Sequence, residues 1–373
     1  MIRVLHIIAT LDPHGAERQL SLLVRNLDRT RFEPVVCCLT RGGPLKDEVR
    51  RAGIEVIHIG KRWKLDMTVV ARLARLIRSG GFDVVQTWMF TSNAFGRAAA
   101  VLANAPVIIA SERNADFWKT SVHFAVDRLL SHWTDAIACN AEGVREFVRP
   151  HVALPETRLR VIPNGIDPHR LQPARGREEV RKELDVPKRA ALLCSAGRLS
   201  APQKAFDKLI DTWAVLWDRR REFRGVIIGE GPEREALEAQ IERLGLERQV
   251  RLLGFREDIC DIIGASDAFV FLSNFEGMPN VVLEAMGLGV PVVASNVSGI
   301  DELIVNGETG IVVDFPLEPE RIGTVVERVL DRPALARHLG QNACAFVRAE
   351  FSARRMAERY EALYEALCKH LTT

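Results

Sequence analysis

Short apolar, β-rich runs alternate with helix-length amphipathic stretches along nearly the whole chain, and the alternation occurs twice. In the first half the runs are RVLHIIA (3–9), PVVCCLT (34–40), IEVIHI (54–59), FDVVQT (82–87), PVIIAS (106–111), DAIACN (135–140) and LRVIP (159–163). Between them lie segments such as AERQLSLLVRNL (16–27) and DMTVVARLARLIRS (66–79), with apolar residues at helical spacing. Apolar strands separated by helices belong to a parallel sheet covered on both faces. The turn-rich stretch PNGIDPHRLQPARG (163–176) interrupts the pattern. It restarts with AALLCSAG (190–197), FRGVIIG (223–229), VRLLG (250–254), DAFVFL (267–272), VPVVAS (290–295) and GIVVD (310–314), and three helical segments close the chain, the last at 353–371. The expectation is an α/β protein of two Rossmann-like, doubly wound parallel-sheet domains, 1–170 and 171–352, facing across a cleft, followed by a closing segment 353–373. At ~150 residues per domain, 373 residues suffice for two cores.

Charge adds little about partners. The net charge is +2, so no global field calls for nucleic acid or another polyanion. The halves differ, however. Residues 1–173 carry 24 Lys and Arg against 17 Asp and Glu, while 174–373 carry 27 against 32. A basic first half suits an anionic surface or acceptor, and it equally suits solvated arginines on surface helices. Seven scattered cysteines without CxxC spacing, several inside apolar runs, fit a reducing cytoplasm better than a disulfide framework or a zinc site. The opening MIRVLHIIATLDPHG has no small-residue cleavage site and reads as a first strand. No apolar run approaches the ~20 residues of a membrane span.

In open α/β sheets ligands sit beyond the carboxyl ends of the strands, so the loops after each strand carry the chemistry. A GxGxxG fingerprint is absent there. Its nearest counterpart, Gly229-Glu230-Gly231-Pro232, places proline where helix packing needs space, which argues against hydride transfer. FEGMPNVVLEAMGLGVPVVAS (275–295) is more informative. Glu276 follows the strand DAFVFL, Pro279 is suited to start a helix, and Glu284 lies about one and a half turns along it. Two carboxylates at different depths suit separate hydroxyl-bearing parts of one ligand better than a shared proton. Between them the amides of Asn280 and Val281 open a helix, a place for phosphate. Hydroxyl acceptors beside an anion nest describe a sugar nucleotide.

With HGAERQL (14–20), VIPNGID (161–167), SAGRL (195–199), QKAFDKLI (203–210), IIGEGPER (227–234), LLGF (252–255) and NGETGIVV (306–313) occurring in order around that segment, the chain resembles glycosyltransferase family 4, retaining enzymes of GT-B fold. The resemblance implies that Arg198 and Lys204 face the donor diphosphate, that Glu276 contacts hydroxyls of the donor sugar and that Glu284 binds the ribose. It also implies a closing helix that crosses back to the first domain. Gly15 and Ala16, before the first helix, would let a backbone approach the diphosphate or acceptor. Gly229, Glu230 and Gly231 would shape a loop near the base, or simply a turn. No Asp-x-Asp pair flanks these loops, so neither a catalytic metal nor a cofactor is expected. The donor substrate is a nucleotide diphosphate sugar, with UDP favoured over GDP.

Many relatives have histidines at strand ends where this chain has Gln86-Thr87-Trp88 and Ser111-Glu112-Arg113-Asn114. Glu112 and Arg113 therefore stand as acceptor- or sugar-side candidates, with His14 as a third. The SERN form resembles family members that act on lipid-linked or polysaccharide acceptors. The segment 61–79 joins Lys61, Arg62, Trp63 and Lys64 to a helix with Val69, Val70, Leu73, Leu76 and Ile77 on one stripe and Arg72, Arg75 and Arg78 beside it. A helix packed on a sheet with its arginines in water is the favoured account, and peripheral contact with an anionic membrane is the other. The reading is a cytoplasmic glycosyltransferase that carries a hexosyl or N-acetylhexosaminyl group to a glycan or polyprenyl-linked acceptor by front-face departure and attack. A non-catalytic sugar-nucleotide-binding subunit and a nucleotide-sugar epimerase of the same fold are the alternatives.

Overall fold

β-branched and aliphatic runs become strands, and most strands are followed by a helix that covers one face of the sheet. The computed structural model describes residues 1–63, 66–219 and 221–369. The chain forms two compact units, one of Met1–Gly165 with the segment from Ala353 on, the other of Ile166–Ser352.

The first unit holds β1 (Ile2–Ile8), β2 (Phe32–Cys38), β3 (Glu55–His58), β4 (Val84–Trp88), β5 (Val107–Glu112), β6 (Ala136–Cys139) and β7 (Leu159–Val161). They form one parallel sheet in the order β3-β2-β1-β4-β5-β6-β7. Its helices are α1 (Gly15–Asn26), α2 (Leu45–Arg51), α3 (Thr68–Gly80), α4 (Met89–Ala103), α5 (Ser121–Ser131) and α6 (Glu142–Val148). The second unit holds α7 (Arg177–Glu183), β8 (Ala191–Ala196), α8 (Phe206–Asp218), β9 (Phe223–Ile228), α9 (Arg234–Arg243), β10 (Val250–Gly254) and α10 (Ile259–Gly264). It continues with β11 (Ala268–Phe271), α11 (Asn280–Gly287), β12 (Val292–Ser295), β13 (Ile311–Val313), α12 (Pro319–Asp331) and α13 (Pro333–Glu350). Its sheet, also parallel, runs β10-β9-β8-β11-β12-β13. The closing helix α14 (Ala353–Cys368) returns to the first unit.

The two-residue period of a strand builds a core on each face of the first sheet. β1 sends Val4 and Ile8 to one side, against Leu20 and Leu23 of α1 and Met356, Tyr360 and Tyr364 of α14. It sends Leu5 and Ile7 to the other, against Val69, Leu73 and Ile77 of α3 and Ala99 and Ala100 of α4. The stripe of α3 is thus core, and the lipid-facing reading of that stripe does not hold. Its arginines stay outside: Arg72 pairs with Asp66 at 2.9 Å and Arg78 donates to the carbonyl of Leu102. Lys64 lies outside the described residues.

The division between units falls at Gly165, five residues before the boundary expected at 170. Ile166 donates its amide to Phe351 O at 2.7 Å, and Arg170 pairs with Glu284, so the stretch between them goes with the second unit. All seven cysteines are free thiols. No helix among the described residues is long and apolar enough to cross a membrane.

Candidate functional site

A doubly wound sheet has one place where successive connections leave in opposite directions, and there the strand-end loops part to leave a crevice. In the second unit that place lies between β8 and β11. The loops after these two strands are joined by backbone bonds. Asn274 donates to Gln203 O at 2.8 Å and Ala205 to Leu272 O at 3.2 Å, with Lys204 and Ser273 paired between them. This register brings Lys204 onto Glu276: Lys204 Nζ donates to Glu276 Oε1. Ser273 Oγ stands 2.7 Å from the same carboxylate oxygen, and Gln203 Nε2 donates to Oε2 at 3.3 Å. The ammonium also lies over the Phe271 ring, 4.3 Å from its centroid. Glu276 is 7% exposed, so this is a nearly dry, fully partnered ion pair. Arg198, on the same β8 loop, is exposed and has no carboxylate partner among the described residues.

The neighbouring loop after β9 packs backbone against backbone. Gly229 has φ +141°, and a Cβ there would lie 1.9 Å from Gly197 O; one on Gly231 would lie 2.1 Å from Leu199 O. Leu199 donates to Glu230 O at 3.0 Å and Glu233 to Leu199 O at 3.1 Å. The two glycines thus shape the backbone on either side of Arg198, and only glycine fits such an approach. Glu230 is exposed and pairs with Arg234 at 3.1 Å.

Past Glu276 the chain turns into α11 with extended Pro279 as its N-cap. The first backbone bonds of the helix run from Val282 and Leu283 to Pro279 O, so the amides of Asn280 and Val281 precede the hydrogen-bonded ladder. The loop before them is backed by Gly299, whose Cβ would fall 1.8 Å from Gly277 O. Glu284 lies further along the buried side of α11 and pairs with Arg170 at 3.3 Å. The structure does not bring Glu276 and Glu284 into one pair; each has a cation of its own.

In the first unit the corresponding opening lies between β1 and β4. His14 is the exposed N-cap of α1, with Gly15 and Ala16 in the first turn behind it. β4 passes into α4 without a loop, through Met89 at φ 66°, a backbone value costly for a non-glycine residue. Glu112 ends β5, Arg113 follows it, and the two turn to different partners. Arg113 is buried, bonding Asn164 Oδ1 and, at 3.2 Å, the Tyr360 hydroxyl. Glu112 accepts from Asn93 Nδ2 at 2.9 Å and from Lys119 Nζ at 3.3 Å. Lys119 also reaches Asp127 at 3.1 Å, and Asp127 pairs with Arg97. Burial pushes the Glu112 carboxyl up to about 7, against the pull of Lys119 and with the added push of Asp127 and Asp116.

Lys119, Asp127, Arg97 and Asn93 were not singled out from the sequence. Asn93 and Arg97, one turn apart in an otherwise small and apolar helix, are the signal that could have found them. Arg170, Gln203 and Ser273 were missed for want of any local pattern. Among the described residues no group of three or more His, Cys, Asp or Glu is placed to hold a metal ion.

Comparison with known proteins shows the family to which the chain is similar. Residues 13–170 match the family described as Glycosyltransferase Family 4, and residues 176–345 the one described as Glycosyl transferases group 1. The chain is 30% identical over 318 residues to a D-inositol 3-phosphate glycosyltransferase of Streptomyces scabiei, covering 76% of this chain and 69% of the relative. It is 27% identical over 328 residues to the UDP-Gal:alpha-D-GlcNAc-diphosphoundecaprenol alpha-1,3-galactosyltransferase of Escherichia coli, covering 84% of each. Among solved structures, Anabaena HepE in complex with UDP and glucose superposes with a TM-score of 0.86 at 21% identity, covering 98% of this chain and all of that one.

Proposed function

The chain belongs to glycosyltransferase family 4 and is a glycosyltransferase of GT-B type, and from that premise we propose that it carries a hexosyl or N-acetylhexosaminyl group from a UDP-sugar to a hydroxyl of a glycan or polyprenyl-linked glycan, with retention at the anomeric carbon. The observation that carries the reading is the Lys204–Glu276 pair at the crevice of the second sheet, beside the exposed Arg198. A dry, oriented ammonium is worth most where charge develops during reaction, on the departing diphosphate. Lys204 and Arg198 meet that charge. Glu276, an acceptor of hydrogen bonds, holds hydroxyls of the donor sugar, and the amides of Asn280 and Val281 face phosphate oxygens. Glu284 accepts from the ribose hydroxyls, and the turn at Gly229, Glu230 and Gly231 borders the base.

In this mechanism the bond from the anomeric carbon to the phosphate oxygen breaks on one face of the sugar, and the acceptor oxygen bonds to that carbon on the same face. The acceptor proton passes to the leaving phosphate oxygen, so no protein base and no metal ion is required. At the opening of the first sheet, Gly15 and Ala16 let the backbone approach the donor diphosphate, and His14 beside them stands on the acceptor side. Glu112 and Arg113 hold the end of β5 in shape from within rather than touching sugar. Uridine is favoured because HepE is described with UDP and because the E. coli relative is named for UDP-Gal; that name also supports a polyprenyl-linked acceptor.

The test is turnover by the isolated chain with a panel of UDP-sugars and a short-chain polyprenyl diphosphate-linked acceptor, with the product anomer read by NMR. An α-linked product from an α-linked donor supports the proposal. A β-linked product rejects retention, and epimer or free UDP released without any acceptor adduct rejects the transfer reading.

A further inference from the structure

An open groove of about 1180 Å³ lies at the amino-terminal end of the second sheet. Its lining takes in Ala191 at the start of β8, Arg221 just before β9 and Asp267 just before β11, with the remainder from α7 and from the junction of α12 with α13. The loops that carry Arg198 and Glu276 follow the carboxyl ends of β8 and β11, so groove and donor site stand at opposite ends of the same strands.

Seven Lys or Arg line this groove against two acids, Glu178 and Asp267. Asp267 is already neutralised within the fold: it accepts from Arg177 at 2.6 Å, from Arg181 at 2.9 Å and from the Leu192 amide at 2.7 Å. Arg221 pairs with Asp331. Lys182, Lys188, Arg189 and Arg337 are exposed and have no carboxylate partner among the described residues. Four unpaired cations around one groove repel one another unless an anion lies among them. Residues 174–373 carry 27 Lys and Arg against 32 Asp and Glu, so the concentration is local and not the mark of a basic domain. Beneath the cations the lining is aliphatic, with Val186, Ala191, Leu330 and Ala336 half-buried. The frame is fixed before anything binds, because Arg181 donates to Ala190 O at 2.6 Å and Arg177 to Ala265 O at 2.7 Å.

We propose that this groove docks an acidic segment of a partner protein, its carboxylates against Lys182, Lys188, Arg189 and Arg337 and its aliphatic side chains on the floor beneath them. Charge complementarity of this kind steers encounter and fixes register. No aromatic ring lines the groove, so it offers no platform for a nucleobase. Its volume exceeds the ~300–1,000 Å³ of small-molecule pockets, and its free cations are spread over α7, the approach to β8 and the start of α13, which suits a peptide better than a single phosphate. None of these residues belongs to the donor site, so the partner is held while the crevice stays open, and the inference stands or falls apart from the transfer chemistry.

The experiment is selection of short random peptides displayed on phage against the immobilised full chain, followed by fluorescence anisotropy of the selected sequences. Wild type is compared with Lys182→Glu/Arg337→Glu, Lys188→Glu/Arg189→Glu and, as a control outside the groove, Arg248→Glu. All of these sites are exposed, and unchanged melting verifies each fold; the corresponding alanine pair replaces a reversal that lowers melting. The selected peptides should be rich in Asp and Glu with aliphatic residues between them, and added salt should weaken their binding. They should bind wild type and the control alike and lose at least tenfold in affinity for each double variant. A selection that yields no binder, or binders without an excess of Asp and Glu, overturns the proposal, as does affinity that survives in either double variant. Tripolyphosphate binding that depends on the same four residues, with no peptide doing so, overturns it as well, since the groove then serves a small phosphate. A dimer that both double variants abolish also overturns it, the occupant then being a second copy of the chain.

Discussion

Lys204 and Glu276 are separated by 72 positions and belong to the loops of two different strands, yet they form one buried ion pair at the crevice of the second sheet. Backbone bonds between the loops, not the side chains alone, set that distance. The pair therefore has two roles to separate, one in stability and one in chemistry.

Lys204→Ala leaves the Glu276 carboxylate buried without its cation, which costs about 3 kcal/mol of stability as well as lowering turnover. Arg198→Ala touches no folded-state partner, so melting should not change while kcat falls by ~10²–10³, the scale of one lost preorganised donor. Calorimetric melting beside steady-state kinetics separates the two variants. Equal melting losses, or normal kcat in Arg198→Ala, would contradict these assignments.

Gly229→Ala places a methyl 1.9 Å from a carbonyl oxygen. The β8 and β9 loops must then part, moving the backbone that carries Arg198. We expect a melting temperature lowered by several degrees and a raised KM for the donor. A variant with wild-type KM would show that this turn is independent of the donor site.

How much of this was legible beforehand depends on the range of the interaction. All thirteen strands among the described residues follow from local runs of apolar residues, and the helix start after Pro279 follows from one proline in one context. Errors of a residue or two at strand ends have tertiary causes: β4 begins at Val84 rather than at Phe82 because Asp83 turns to bond Arg3, its carboxylate accepting from the Arg3 amide at 2.8 Å. The partner of Glu284, the contact between Lys204 and Glu276 and the knot of charges around Glu112 were not legible, since each depends on which strands are neighbours. The favoured reading of the α3 stripe, packed on the sheet, holds, but the sequence left a bilayer open beside it: one apolar stripe suits either, and only the position of the helix decides between them.

His6, in the middle of β1, is fully buried, and burial pushes its imidazole down to about 3. Trp88 Nε1 donates to its Nδ1 at 3.4 Å, which suits the neutral ring. Below pH 6.5 the unfolded chain takes up a proton that the folded chain refuses, so the His6 contribution is whole above that pH and is lost as pH falls toward 3. His6→Gln keeps an acceptor for Trp88 and cannot titrate. Its melting temperature should fall less than that of wild type between pH 7 and pH 4. Parallel declines would exclude His6 as a source of acid sensitivity.

Isothermal titration of the intact protein with UDP and a set of UDP-sugars tests the central claim most directly, because it needs no acceptor. One saturable site is expected for wild type, with affinity reduced at least tenfold in Lys204→Ala. A folded wild-type chain that gives no binding heat with any nucleotide or nucleotide sugar at millimolar concentration would contradict the account.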